Sequence, residues 1–131
     1  MRKVDLAVHR AGLKLSIKKH QRAALGILDS EIEQVQFALQ SFNPVTGLLV
    51  WKVGIGVTGT LIRHFTNSLC ELSVDREMRV TIPAVGSIQF VGASDDTEMT
   101  EFDVDLDDHG CFTTQLPLDW FIPQKNALGD W

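Results

Sequence analysis

Cysteine is scarce: Cys70 and Cys111 are the only two in 131 residues, and they form no CxxC spacing. That excludes a disulfide-built scaffold and leaves at most one long-range bridge. Basic residues are outnumbered, 12 Lys and Arg against 17 Asp and Glu, for a net charge of −5. A nucleic-acid binder rests its affinity on neutralising phosphates, so no nucleic-acid partner is expected. The one basic cluster, Lys14 to Arg22, lacks interleaved aromatic residues for base stacking and reads as a solvated edge. A secretion signal is also missing from the opening MRKVDLAVHRAG, where Asp5, His9 and Arg10 interrupt any apolar core. A reducing, cytoplasmic location is therefore the expectation, with both thiols free.

Long apolar runs are nearly absent too. Val45 to Ile62 carries one charge and approaches a membrane-spanning length. Lys52 inside it would cost roughly 2.5–3.5 kcal/mol near the centre of a spanning helix, and the run alternates at the wrong period for a helix. No membrane partner is expected. Internal repeats and low-complexity segments are lacking, and no stretch presents a nucleophile, a base and an orienting group together. No cofactor is expected.

What is present has ordinary globular composition, 44% apolar and 22% charged, enough for one domain over 1–131 with its own core. Residues 124–131 read as a loose C-terminal tail. The organising stretch is Gly47 to Phe65. At period two it places Leu49, Trp51, Val53, Ile55, Val57 and Leu61 on one side and Lys52, Gly54, Gly56, Thr58 and Thr60 on the other. Glycine weakens a strand, so Gly54 and Gly56 imply close approach by a helix, another backbone or a ligand.

Upstream, Val4, Leu6 and Val8, then Leu13, Leu15 and Ile17, alternate around Gly12 as a hairpin, with a continuous helix as the competing reading. Leu25, Leu28, Ile32, Val35, Leu39 and Phe42 step by three and four, predicting an amphipathic helix over about 21–42. Ser30 and Glu33 have capping-box spacing, so that helix would break and restart near 30, and Asn43-Pro44 would stop it. Short alternating runs follow, separated by turn residues. The fold class expected is α+β: a mostly antiparallel curved sheet or partly open barrel, with the long helix packed on the glycine strand.

Four local patterns suggest chemistry. Gly54-x-Gly56-x-x-Gly59 matches a dinucleotide fingerprint in letters only, since hairpins rather than a βαβ unit follow. Asp103-x-Asp105-x-Asp107 opens like a calcium loop, but the sixth and twelfth positions are Asp108 and Thr114. Asp107, His109 and Cys111 are zinc-ligand types, yet a turn at Asp108 to Gly110 would scatter them, and no metal is expected. Arg63, His64 and Glu71 would converge if Thr66 to Ser68 turns the chain, with His64 as a general base over a pocket lined by Gly54, Gly56 and Lys52. Finally, Trp120 and Phe121 are either a partner-binding anchor or part of a strand closing the core, the latter being favoured.

The function expected is a small soluble binding module without catalytic activity, engaging a protein or small molecule and forming a homo-oligomer. The alternative is a ligand carrier or small enzyme working against the glycine face. A thiol titration of the denatured, unreduced protein is expected to find both cysteines reactive; a titration that finds neither would establish a bridge.

Overall fold

A computed structural model describes residues 2–9, 12–43, 45–65, 70–72, 77–83, 88–90 and 99–123, with backbone alone at 9, 64, 70–72, 77, 83, 88–90 and 121–123. Twelve strands are described: β1 (Lys3–His9), β2 (Gly12–Lys18), β3 (Gln36–Asn43), β4 (Leu48–Gly54), β5 (Leu61–His64), β6 (Cys70–Leu72), β7 (Glu77–Pro83), β8 (Ile88–Phe90), β9 (Thr100–Asp103), β10 (Asp105–Leu106), β11 (Phe112–Gln115) and β12 (Phe121–Pro123). They form one sheet in the order β6-β7-β2-β1-β9, a second in the order β10-β11-β4-β3-β5, and a ribbon of β8 with β12. Every pairing is antiparallel. The expected tail, 124–131, lies outside the described residues.

The chain ties the two five-stranded sheets together at their edges. β9 is the last strand of the first sheet and β10 the last strand of the second, with only Val104 between them. Val104 is buried, and its N–H donates to the Arg2 carbonyl at 2.9 Å. Such an edge strand that changes sheets is the usual corner of a two-sheet sandwich. A single apolar cluster takes Leu6, Leu15 and Val80 from the first sheet and Phe37, Trp51 and Phe112 from the second. Trp51 is fully buried at its centre, stacked on Phe37 (centroids 5.8 Å apart) and tilted against Phe112 (5.0 Å).

The hairpin reading of 4–17 is correct: Leu6 lies opposite Leu15, and Gly12 has the positive φ (142°) that such a connection uses. The helix over 21–42 does not form. Short 3-10 turns occupy Lys19–Gln21, Ala23–Leu25 and Asp29–Gln34, and from Gln36 the chain is strand β3. Gly26, in the left-handed region (φ 77°), ends the second turn, and Leu28 and Val35 are extended. The third turn has no side-chain cap, so Ser30 does not serve as one. Within 35–39 the buried residues are Val35, Phe37, Ala38 and Leu39, and Leu28, on the predicted stripe, is exposed. The spacing 35, 39, 42 fits a helical stripe, while Val35, Phe37, Leu39 fits a strand, and tertiary burial decides for the strand. The 3-10 segment instead carries the chain from the first sheet to the second and buries Leu25, Ile27 and Ile32 in the core between them.

The close approach expected at Gly54 and Gly56 occurs one turn later. A side chain at Gly54 would meet only Val57 Cγ1 at 3.5 Å, and one at Gly56 would meet nothing; both positions are held by positive φ. Gly59 is the crowded one, where a Cβ would overlap the Leu39 carbonyl oxygen. That carbonyl sits beside a β-bulge at Gln40 and accepts from Thr60 N (2.7 Å) and Thr60 Oγ1 (3.0 Å). Among the described residues no helix packs on the glycine strand, and the expected α+β class gives way to two mostly antiparallel β sheets.

Replacing Ile32 with Ala should cost roughly 2–5 kcal/mol in chemical denaturation, because its core contacts are lost. Glu33→Ala, at an exposed position, should cost a small fraction of that. Gly59→Ala should destabilise by roughly 1–3 kcal/mol through overpacking against backbone. Gly56→Ala should cost about 1–2 kcal/mol through φ strain alone, so loss of stability at Gly56 carries no information about a neighbour.

Candidate functional site

The two sandwich faces differ in chemistry because alternation sends different residues outward. On the first sheet, register aligns Glu71, Arg79, Ser16, Asp5 and Glu101 in one row across all five strands. Asp5 and Glu101 are like charges directly opposite, an arrangement that destabilises a ladder unless compensated. Compensation is present. Lys18 Nζ lies 2.8 Å from Asp5 Oδ2, and Gln21 Nε2 donates to Asp5 Oδ1 (3.1 Å) and Glu101 Oε2 (3.4 Å). Lys3 Nζ reaches Asp103 at 3.0 Å and Glu101 at 3.7 Å, and its hydrogen bond to Asp103 raises the Lys3 pKa. Asp5 is buried, with its oxygens satisfied, and this face is charged and internally paired.

The second sheet presents a different face. Leu49 and Trp51 enter the core, so Leu48, Val50 and Lys52 point outward from β4. Lys52 lies opposite Ala38, and Ala38 opposite Ile62. Ala38 is fully buried, while Ile62 (41%) and Leu48 (36%) are exposed. Thr113 and Gln115 continue the face on β11. Among the described side chains of the second sheet, Lys52 and, on β10 opposite Thr113, Asp105 are the charges directed outward.

One end of this face is pinned. Asn43 Oδ1 accepts from Val45 N (2.8 Å) and Thr46 N (3.2 Å), Gly47 O accepts from Leu116 N (3.0 Å), and Gln115 Nε2 donates to Thr46 O. Gly47 needs its glycine for two reasons: its φ is 75°, and a Cβ would come within 2.8 Å of the Leu116 carbonyl. Val45 and Leu118 stand exposed at this tip.

No protein-family model matches the chain, and no curated protein or solved structure matches it either. The reading of the site therefore rests on its own geometry.

The sequence-based candidates are dispersed. Lys52 is on the outer face, but Arg63 lies opposite the buried Phe37 and so faces the inner side. The His64 and Glu71 side chains lie outside the described part; their backbones are in different sheets, His64 paired with Gln36 and Glu71 with Arg79. Gly54 and Gly56 face open space, with Gln36 Oε1 accepting from Gly56 N at 3.2 Å. Trp120 packs edge-on against Phe102 (5.3 Å) beside the core, and the Phe121 side chain is outside the described part. Asp107 turns its carboxylate onto its own loop, where Oδ1 accepts from His109 N and Cys111 N, both at 2.8 Å. Among the described residues, no three His, Cys, Asp or Glu side chains are grouped to hold a metal ion. Leu48, Val50 and Ile62 were missed as surface residues. The signal was available for two of them: LLVWKV is apolar at both parities, so one apolar set had to face away from the core.

The backbone hydrogen bond from Cys111, with that from His109, lowers the Asp107 pKa below the ordinary aspartate range. A depressed carboxylate stabilises the fold fully above the unfolded-state value and loses that contribution as pH falls through the folded-state value. NMR titration should place Asp107 below a free aspartate, and Asp107→Ala should flatten this part of the acid-denaturation profile. An ordinary midpoint for Asp107 would contradict the loop geometry.

Proposed function

We propose that this protein is a non-catalytic binding module that engages another protein through the outer face of its second sheet. The observation that supports it is the outward exposure of Leu48 and Ile62 on a face whose outward charges among the described residues are Lys52 and, at the β10 edge, Asp105. Outward apolar side chains on a sheet are candidates for partner contact, and the opposite face, charged and self-paired, is poorly suited to dry contact. A rigid sheet also positions side chains more exactingly than a loop, so little ordering cost attends binding. The pinned Val45 tip extends the same surface. A second copy of the chain is among the partners this face would take, and a reducing, cytoplasmic setting is in keeping with the unpaired Cys111.

No helix among the described residues is long and apolar enough to cross a membrane. Native mass spectrometry of the purified protein across a concentration series tests the reading. Wild type should retain a protein partner or self-associate. A variant with Leu48→Lys and Ile62→Lys should melt cooperatively but bind at least about tenfold more weakly, roughly 1.4 kcal/mol. If the variant and the wild type retain the same species at the same concentrations, the face is not the binding surface.

A further inference from the structure

We propose that Arg63 binds an oxyanion at the free edge of the second sheet. Arg63 lies on β5, the terminal strand of that sheet, in register with the fully buried Phe37. Its side chain therefore leaves the strand on the core side, and the residue is half-buried. Its Nε is buried and has no hydrogen-bond partner. A guanidinium cannot lose its charge in a protein, and an unpaired, desolvated donor of this kind is costly to keep.

Shortage of acids does not account for it, because Asp and Glu outnumber Lys and Arg 17 to 12. Three other described cations have acidic neighbours, Lys3 with Asp103, Lys18 with Asp5, and Arg22 with Asp29 at 3.7 Å, although the Arg22 Nε also lacks a hydrogen-bond partner. Arg63 forms no such pair among the described residues, on an edge where no further strand of its own sheet follows. An acceptor from outside the chain would supply the missing partner. The planar fork of donors fits two oxygens of a carboxylate or a phosphate, and the neighbouring Phe37 and Leu61 lower the local dielectric that strengthens such a contact. A metal cation is excluded by charge, and a neutral ligand would leave the guanidinium uncompensated. This site is on the inner side of β5 and does not depend on the protein-binding face.

Thermal melts of the full chain in sodium phosphate and in sodium acetate, each against sodium chloride at equal ionic strength, test the proposal and distinguish the two sources. Wild type should show a saturable rise in Tm with phosphate or acetate. Arg63→Gln should abolish the rise, and Arg63→Lys, a point charge without the fork, should retain a weaker one. Equal rises in wild type and Arg63→Gln, or no rise with either anion, overturn the proposal. Should Arg63→Gln fail to fold, the Arg63 Nε–H resonance of the wild type decides: saturable movement on adding either anion upholds the site, and an unmoved resonance removes it.

Discussion

Trp51 is the constraint on which the second sheet depends. Its indole is fully buried between Phe37 and Phe112, and its one polar atom, Nε1, donates to Thr114 Oγ1 at 3.0 Å. A buried indole without that partner would carry an unsatisfied donor. Phe112 and Leu39 are the residues directly opposite Trp51 on the two flanking strands. Ring contacts and hydrogen bond together leave one register for three strands. A slip of one residue would turn Trp51 to solvent and Lys52 into the core. The near-neutral outer face is therefore a consequence of where the tryptophan is seated.

The first sheet solves a different problem. β1 is buried on both sides, since Leu6 enters the core and Asp5 and Ala7 are also covered. A covered carboxylate needs charge and donors nearby, or the fold loses several kcal/mol by desolvation. Lys18 and Gln21 supply them, and both come from the end of β2 and the 3-10 turn after it. Gln21 Oε1 also accepts from Lys18 N at 2.7 Å, closing the turn on itself. The polar network thus fixes where the chain leaves the first sheet, and the same segment then buries Leu25, Ile27 and Ile32 on its way to the second.

The hairpin of β1 and β2 was legible because both runs alternate cleanly and Gly12 punctuates them. The turn before β11 was legible as Asp108-His109-Gly110, and Gly110 does take φ 77°. The segment from Gln21 to Phe42 was not, for a definable reason. Spacings of three and four satisfy a helix, but 35, 37 and 39 satisfy a strand in the same letters, and tertiary burial chose between them. Gly54 and Gly56 drew attention as a groove, whereas their shared feature is backbone conformation. Arg63 was singled out from sequence, but its direction was invisible, since only pairing with β3 says that it shares a side with Phe37.

That direction is set from a distance. The bulge at Gln40 leaves the Leu39 carbonyl to Thr60, which holds it by backbone and hydroxyl at once. Gly59 must lack a side chain for Thr60 to come so close. With Thr60 anchored, Leu61 falls opposite Leu39, Ile62 opposite Ala38 and Arg63 opposite Phe37. Moving this anchor by one residue would exchange the inner and outer sets of β5. Ile62 would enter the core side and Arg63 would join Lys52 on the outer face, converting a near-neutral surface into a basic one and releasing the guanidinium to water. The apolar face and the unpaired arginine are therefore two results of one steric fit, made at a glycine that belongs to neither.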